Sequence, residues 1–403
     1  MTTGTKTSTG GWRNGLSRNV IILGFVSLLN DSASEMIYPL LPAFLTSVLG
    51  AGPAAVGIIE GIAESTASFL KLYSGYLSDR VKKRKGWIVG GYAISNVVRP
   101  LIGLASSWLQ VLLLRFTDRV GKGLRTSPRD AMIADSTPLA SRGMAYGFHR
   151  AMDHTGAIVG PLAATGLLFV MHDDMKQIFL LSFIPGVLAV LLLFLGLREK
   201  PATSTAVAQA TTFNARAAWT GMPGGFRRFL LIVLLFTLGN STDAFLLLRA
   251  QGLGVPVALL PAIWVALHVV KMAFSVPGGM LSDRIGRKTV IIGGWIVYAL
   301  VYAGFAVASQ HWHAWLLFAI YGIYFGLTEG VEKALVADFA PQHLRGSAFG
   351  LYHLVVGLGA FPASLLFGLV WEKAGMPAAF GMGAGLAFLA GLLLMTMPAP
   401  KKE

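Results

Sequence analysis

Two stretches of the 403-residue chain carry nearly the same ten residues, GYLSDRVKKR at 75–84 and GMLSDRIGRK at 279–288. They begin 204 positions apart. A second pattern, Ala-Asp at 134–135 followed by Arg-Gly at 142–143, recurs 203 positions later at 337–338 and 345–346. Because the two offsets almost agree, the chain is predicted to consist of two repeats that arose by duplication.

The composition predicts that these repeats lie in a lipid bilayer. Hydrophobic residues make up 54% of the chain and charged residues only 13%, about half of the roughly 25% that is usual in soluble domains. The chain has no cysteine. This excludes disulfides, thiolate metal sites, iron–sulfur clusters and cysteine nucleophiles.

Twelve stretches of about 20 or more mostly apolar residues are each long enough to cross a hydrocarbon core of roughly 30 Å. The predicted spans are 19–47, 55–78, 87–106, 109–134, 143–170, 178–197, 228–249, 256–281, 288–309, 313–338, 346–372 and 378–397. They predict an all-α integral membrane protein with two pseudo-symmetric six-helix bundles. The predicted order is a tail without a cleaved signal peptide, a bundle, a linker, a second bundle and a tail: 1–18, 19–197, 198–227, 228–397 and 398–403.

The formal net charge of +14 comes from 33 basic and 19 acidic residues. Basic residues cluster in the loops that lie on one side if the N-terminus is inside, including 80–85, 198–228 and 284–288. Loops rich in Lys and Arg face the cytoplasm, so both termini are predicted to be cytoplasmic. The charge is thereby explained by topology, and nucleic-acid binding is not expected.

The residue types of the repeated motif predict a contact between helices. A glycine allows close helix approach, and the carboxylate at the helix end can accept hydrogen bonds from a neighbouring helix N-terminus. The motif resembles Gly-x-Leu-x-Asp-Arg-x-Gly-Arg-Lys of the major facilitator superfamily, which follows helices 2 and 8. The second copy matches it fully, whereas the first has Lys82 where glycine is usual.

This resemblance covers nearly the whole chain and implies twelve helices and a cytoplasmic gate. In the first half, Asp79, Arg80 and the pair Asp135 and Arg142 would latch that gate in the outward-facing state. The gate residues implied by the resemblance are Gly75, Asp79, Arg80, Asp135, Arg142, Gly279, Asp283, Arg284, Gly286, Arg287, Asp338 and Arg345.

The fifth span carries a spaced set of small residues and a proline. Gly147, Gly156, Gly160 and Pro161 resemble the glycine-rich motif that exporters of the superfamily carry in helix 5, although Ala164 replaces its last glycine. Small residues allow tight helix packing and proline bends a helix. The resemblance implies a proton-coupled exporter, that is, an antiporter.

Ionisable residues inside predicted spans are costly and default to functional hypotheses. A proton-coupled carrier needs a group that titrates as access alternates. The candidates for proton coupling are Asp31, Glu35, Asp153, Glu60, Glu64 and, by resemblance to a second family motif, Arg115. The candidates for the substrate cavity are Tyr38, Arg99, Arg150, His149, Asp243, Trp264, His268, Lys271, Tyr321, Tyr324, Glu329 and Tyr352. The alternative for these intramembrane charges is that most of them pair with one another and stabilise helix contacts.

The sequence as a whole predicts a monomeric secondary transporter of a bacterial cytoplasmic membrane that exports a small polar or charged organic solute. Protons are the expected coupling partner, so no cofactor or metal is expected. No phosphate-binding loop or enzyme constellation is visible in the chain. The alternatives are a proton symporter that imports an organic anion or nutrient, and a membrane enzyme or receptor without transport.

Overall fold

The computed structural model describes residues 16–38, 40–41, 44–50, 53–81, 83–171, 174–199, 219–241, 243–255 and 259–398. Within these ranges the chain is helical and forms no strand. The helices of the first half are α1 (Arg18–Glu35), α2 (Pro53–Val81), α3 (Lys85–Leu101, extended by a 3-10 turn at Ile102–Leu104), α4 (Trp108–Asp135), α5 (Arg142–Val170) and α6 (Met175–Leu181 and Phe183–Gly196).

The second half repeats this arrangement of six helical segments. They are α7 (Gly224–Gly239 and Ala244–Gly252), α8 (Leu260–Ile285), α9 (Arg287–Val307), α10 (His311–Phe339), α11 (Arg345–Ala374) and α12 (Met376–Met395). Each helix corresponds to one predicted span, so the described chain has the predicted twelve-segment architecture. The start of α7 lies inside the predicted linker 198–227, of which residues 200–218 fall outside the described ranges.

Three spans predicted as continuous helices are interrupted, and the sixth, expected at 178–197, has a break of one residue at Ser182. The first was expected to run from 19 to 47, but α1 ends at Glu35 and a separate π-helical turn covers Phe44–Val48. Prolines at 39 and 42 explain this interruption, because proline removes a backbone donor and restricts the preceding residue. The seventh span, expected at 228–249, breaks between Gly239 and Ala244.

Seven of the described helices are long and apolar enough to cross a membrane by length and composition alone: α3, α6, α8, α9, α10, α11 and α12. Of the other five, α7 is interrupted, and α1, α2, α4 and α5 contain most of the intramembrane charges of the first half. Helices that bury ionised groups against protein need less apolar surface, because those groups do not face lipid.

The two halves meet along two symmetric helix pairs, α2 with α11 and α5 with α8. Glycines allow both approaches. A Cβ atom on Gly75 would overlap the backbone carbonyl of Gly346, and one on Gly147 would overlap the carbonyl of Ser275. Further along α5, Gly156 and Gly160 face backbone carbonyls of α1.

We expect Gly147→Ala to destabilise the protein, because the added methyl group has no room between α5 and α8. Overpacking of this kind costs about 1–3 kcal/mol, which should lower the midpoint of thermal unfolding in detergent. Gly166→Ala is the matched control on the same helix, since no atom lies within 4 Å of its added Cβ. An equal loss of stability in both variants would contradict the packing argument.

Candidate functional site

The interface between the halves is closed at the end where α2 and α8 finish, which we call the basic end. The carboxylate of Asp79, on α2, accepts hydrogen bonds from the backbone N–H groups of Gly346 and Ser347 at 2.9 and 2.7 Å. These two residues form the first turn of α11, in the other half. A carboxylate at a helix N-terminus is stabilised by the helix dipole and by unpaired N–H groups.

The second repeat makes the same contact in the opposite direction. Asp283, on α8, accepts hydrogen bonds from the backbone N–H groups of Gly143 and Met144 at 3.0 and 2.9 Å. Gly143 and Met144 lie in the first turn of α5. Two carboxylate latches, each crossing between the halves, therefore close the basic end.

An arginine further along each loop completes the latch. Arg84 contacts Asp79 at 3.1 Å and Asp135 at 3.3 Å, whereas the guanidinium of Arg80 lies 4.3 Å from the ring centroid of Tyr76. In the second repeat, Arg284 is exposed. Arg287 instead pairs with Asp283 and lies 3.3 Å from Asp338.

The pair that was expected within the first half, Asp135 with Arg142, is exchanged between the halves. Arg142 binds Asp338 at 2.8 Å, and Arg345 binds Asp135. The sequence contained a signal for the arginine partners. Arg84 and Arg287 occupy nearly equivalent places in the two repeats. They are 203 positions apart, whereas Asp79 and Asp283 are 204 apart. The first repeat therefore has one more residue between its aspartate and its arginine.

Gly286 is the residue at which α8 turns into α9. Its φ angle of 97° lies in the left-handed region that favours glycine. The first repeat has Lys82 near the corresponding place in the sequence, but that residue lies outside the described ranges. The sharp turn is therefore documented for the second repeat alone.

A cavity of about 790 Å³ lies between the two halves, deeper in the protein than the latches at the basic end. Its walls come from α1 to α5 in the first half and from α7, α10 and α11 in the second. The first-half wall carries seven cationic side chains: Lys71, Arg99, Arg119, Lys122, Arg125, Arg129 and Arg150. The second-half wall carries aromatic rings and the carboxylates of Asp243, Glu329 and Glu332.

A buried aspartate on α4 organises much of the cationic wall. Asp118 is 0% exposed and bonds to Arg99 at 2.8 Å. Arg115 and Arg119 lie 3.5 and 3.9 Å from its other oxygen. Arg99 also donates to the side-chain oxygen of Asn30 at 3.0 Å, which connects this cluster to α1.

A second charged cluster joins α5 to α10 across the interface. Arg150 contacts Asp153 at 2.8 Å and Glu329 at 3.1 Å. His149 and His154 complete the cluster, 3.5 Å from Asp153 and 3.3 Å from Glu329 respectively. Asp153 and Glu329 are thus neutralised by neighbouring cations, as buried charges require.

Four carboxylates that line the cavity have no ion-pair partner within 4.0 Å in the described ranges. Asp31 accepts a hydrogen bond from the amide of Asn30 at 2.8 Å, and Glu35 lies one turn further along α1. Asp243 accepts from the hydroxyl of Tyr321 at 2.6 Å. Glu332 accepts from the indole of Trp295 and the hydroxyl of Tyr352, at 2.9 and 2.8 Å.

The structure brings ten of the candidate residues to the cavity: Asp31, Glu35, Tyr38, Arg99, Arg150, Asp153, Asp243, Tyr324, Glu329 and Tyr352. Others are not among its lining residues: Arg115, His149, Trp264, His268, Lys271 and Tyr321. The side chains of Glu60 and Glu64 lie outside the described set. Within that set, no group of three or more His, Asp or Glu side chains could hold a metal ion.

Three important residues were missed by the sequence reasoning: Asp130, Glu332 and Lys333. Lys333 lies on α10 and binds Asp130 of α4 at 2.8 Å. Both are buried. Their signal was the repeat itself, since residues 130 and 333 are 203 positions apart. Arg129 is likewise a buried residue of α4 and contacts Asp130 at 3.0 Å.

The latches can be tested with introduced thiols, because the chain has no cysteine. Ser347 is 1% exposed at the closed basic end, so the thiol of Ser347→Cys, the latch thiol, should react slowly with N-ethylmaleimide. Ala360 is exposed and lines the cavity, so the thiol of Ala360→Cys, the cavity thiol, should react quickly. The ratio of these two rates reports which end is open.

We expect Asp79→Asn to raise the alkylation rate of the latch thiol about tenfold, because a carboxylate at a helix N-terminus contributes up to about 2 kcal/mol. Asp174→Asn is the matched control. Asp174 accepts two backbone N–H bonds at the start of its own helix, α6, without crossing between the halves. An unchanged rate in Asp79→Asn, or an equal rise in Asp174→Asn, would contradict a latch.

Comparison with known proteins agrees with this geometry. The sequence profile of the Major Facilitator Superfamily matches residues 23–270 and 229–403. An uncharacterised MFS-type transporter of Methanocaldococcus jannaschii is 39% identical over 390 residues, which cover 94% of this chain and 95% of the relative. The multidrug resistance protein MdtG of Salmonella arizonae is 24% identical over 389 residues, 92% of each chain.

The fold also matches solved structures. The crystal structure of the human organic anion transporter MFSD10 superposes with a TM-score of 0.81 at 17% identity, covering 96% of this chain and 100% of that one. At this identity the likeness concerns the fold. The profile match extends over both repeats and the archaeal relative aligns nearly end to end. The chain therefore belongs to the major facilitator superfamily, and it is a multi-pass membrane transporter rather than an enzyme.

Proposed function

We propose that this transporter exports a small polar or charged organic solute in exchange for protons, by alternating access to the central cavity. The observation that carries the coupling is the pair Asp31 and Glu35, carboxylates that line the cavity without an ion-pair partner within 4.0 Å in the described residues. Such a carboxylate can gain and lose a proton as access to the cavity alternates, because no neighbouring cation holds it in the charged form.

Asp153, another acidic residue of this half that was predicted to couple protons, has a different environment. Asp153 is held by Arg150 and His149. Partners of this kind stabilise the ionised carboxylate. We therefore assign proton uptake to Asp31 and Glu35, and a structural role to Asp153.

Export is supported by α5 and by one relative. The glycines of α5 pack against backbone carbonyls of α1 and α8 at the spacing that resembles the exporter motif. The Salmonella relative is named a multidrug resistance protein. The many charged and hydroxyl groups of the cavity wall favour a polar or charged solute over a purely lipophilic one.

The import of an organic anion remains the second candidate, because seven cations line one wall of the cavity. The basic residues that could bind such an anion are Arg99, Arg115, Arg150 and Lys271, and most of them are engaged with protein carboxylates. Arg99 and Arg115 face Asp118, and Arg150 binds two carboxylates. Lys271 is not among the lining residues.

We further propose that the protein acts as a monomer in a bacterial cytoplasmic membrane with the basic end inside. The positive-inside rule supports this orientation, since the basic loops follow α2 and α8. In that orientation the closed latches correspond to an outward-facing state.

We expect Asp31→Asn to reduce proton-driven transport at least tenfold while leaving solute counterflow measurable, because only the coupling step needs a titrating group. The solute would come from a thermal-shift screen of the purified protein. Glu372→Gln, an exposed acidic position on α11, is the control and should retain the parent rate. Loss of counterflow together with proton-driven transport would make Asp31 a substrate ligand instead.

The direction of transport can be read in everted membrane vesicles with an acidic interior, using a dye that reports the pH gradient. We expect addition of the solute to the outer face to collapse the gradient, because an antiporter exchanges inner protons for outer solute. A symporter would need solute inside the vesicles to release those protons. A collapse that depends on solute preloaded inside would overturn the export proposal.

A further inference from the structure

Besides Arg150 with Glu329, another ion pair connects the two halves away from the latches, below the cavity. Asp130, on α4, is 0% exposed and binds Nζ of Lys333, on α10, at 2.8 Å. Its carboxylate also contacts Nε2 of His353, on α11, at 2.9 Å. Arg129, the preceding residue, contacts the other oxygen at 3.0 Å. The bonds to Lys333 and His353 cross the interface between the halves.

The position of this pair follows from the duplication. Residues 130 and 333 are separated by 203 positions, the same separation as Asp135 and Asp338. They are therefore equivalent positions of the two repeats. Equivalent residues that touch each other lie on the symmetry axis that relates the repeats, so this contact marks the pseudo-twofold axis.

At such a position, two identical repeats would place identical side chains against each other. Two aspartates or two lysines would repel each other in a buried site. Here the repeats differ, with Arg-Asp at 129–130 and Glu-Lys at 332–333. The exchanged signs turn a repulsive contact into an attractive one between the halves.

The pair also lies on the route between the cavity and the basic end. Arg129, Lys333 and His353 line the cavity, and Asp130 is five residues before Asp135, the end of α4. With a rise of about 1.5 Å per residue, this places the pair about 7.5 Å from the latch layer. A solute that leaves the cavity through the basic end must pass between α4 and α10, so the pair has to separate in each cycle.

We propose that Asp130 and Lys333 form an axial lock, a pair of positioning residues that holds the halves together below the cavity and sets the balance between the two access states. The lock acts through domain separation. Since either direction of transport needs the same separation, this proposal stands apart from the proposed export and coupling.

The test uses Lys333→Gln with the two thiol reporters, the latch thiol of Ser347→Cys and the cavity thiol of Ala360→Cys. Removal of the ammonium group leaves Asp130 bound to Arg129 and His353, so the carboxylate keeps partners and the protein should fold. We expect the alkylation rate of the latch thiol by N-ethylmaleimide to rise at least fivefold relative to that of the cavity thiol. Lys333→Arg keeps the charge and should stay within twofold of the parent.

A double variant separates a lock from ordinary structural support. Asp130→Asn alone leaves two buried cations without their carboxylate, and loss of one partner of a buried pair is strongly destabilising. Addition of Lys333→Gln removes one of these two cations and should recover part of the thermal stability, while the alkylation rate of the latch thiol stays high because the attraction between the halves is still absent. Unchanged labelling of the latch thiol in Lys333→Gln, or a return to the parent rate in the stable double variant, would overturn the proposal.

Discussion

An ionised side chain within a bilayer has no water to stabilise it, and this constraint governs how the two halves of the transporter are assembled. Asp118 collects three arginines within the first half, whereas Asp130 and Glu329 take partners from across the interface. Charges that pair across the interface, as Asp130 and Glu329 do, favour contact between the halves in one access state. They also have to be exposed or paired again in the other, which couples conformational change to electrostatics.

The closed end consists of layers with different chemistry. At the basic end, Asp79 and Asp283 accept hydrogen bonds from the N-termini of helices of the opposite half. Arginines link these latches to the second aspartate of each repeat, and glycines allow the backbones to approach. Deeper, the pair Asp130 and Lys333 forms the floor of the cavity. Each layer is thus made by residues of both halves.

The cavity wall divides its acidic groups into two classes. Asp153 and Glu329 are engaged with cations, whereas Asp31 and Glu332 accept hydrogen bonds from neutral donors in the described residues. The helix breaks near Glu35 and between Gly239 and Ala244 lie beside this second class and expose polar groups to the cavity. Irregular backbone at membrane depth is tolerated where it lines such a cavity.

The sequence by itself determined the membrane class, the number of helical segments, the repeat and the positions of the latch aspartates, because hydrophobic length and motif spacing are local properties. It could not assign the partners. Arg84, which the sequence motif did not single out, binds Asp79 and Asp135, and Arg142 binds Asp338 rather than Asp135. Only the tertiary structure decided which charges meet, because Asp130 and Lys333 are distant in sequence and come together through the packing of two repeats about one axis.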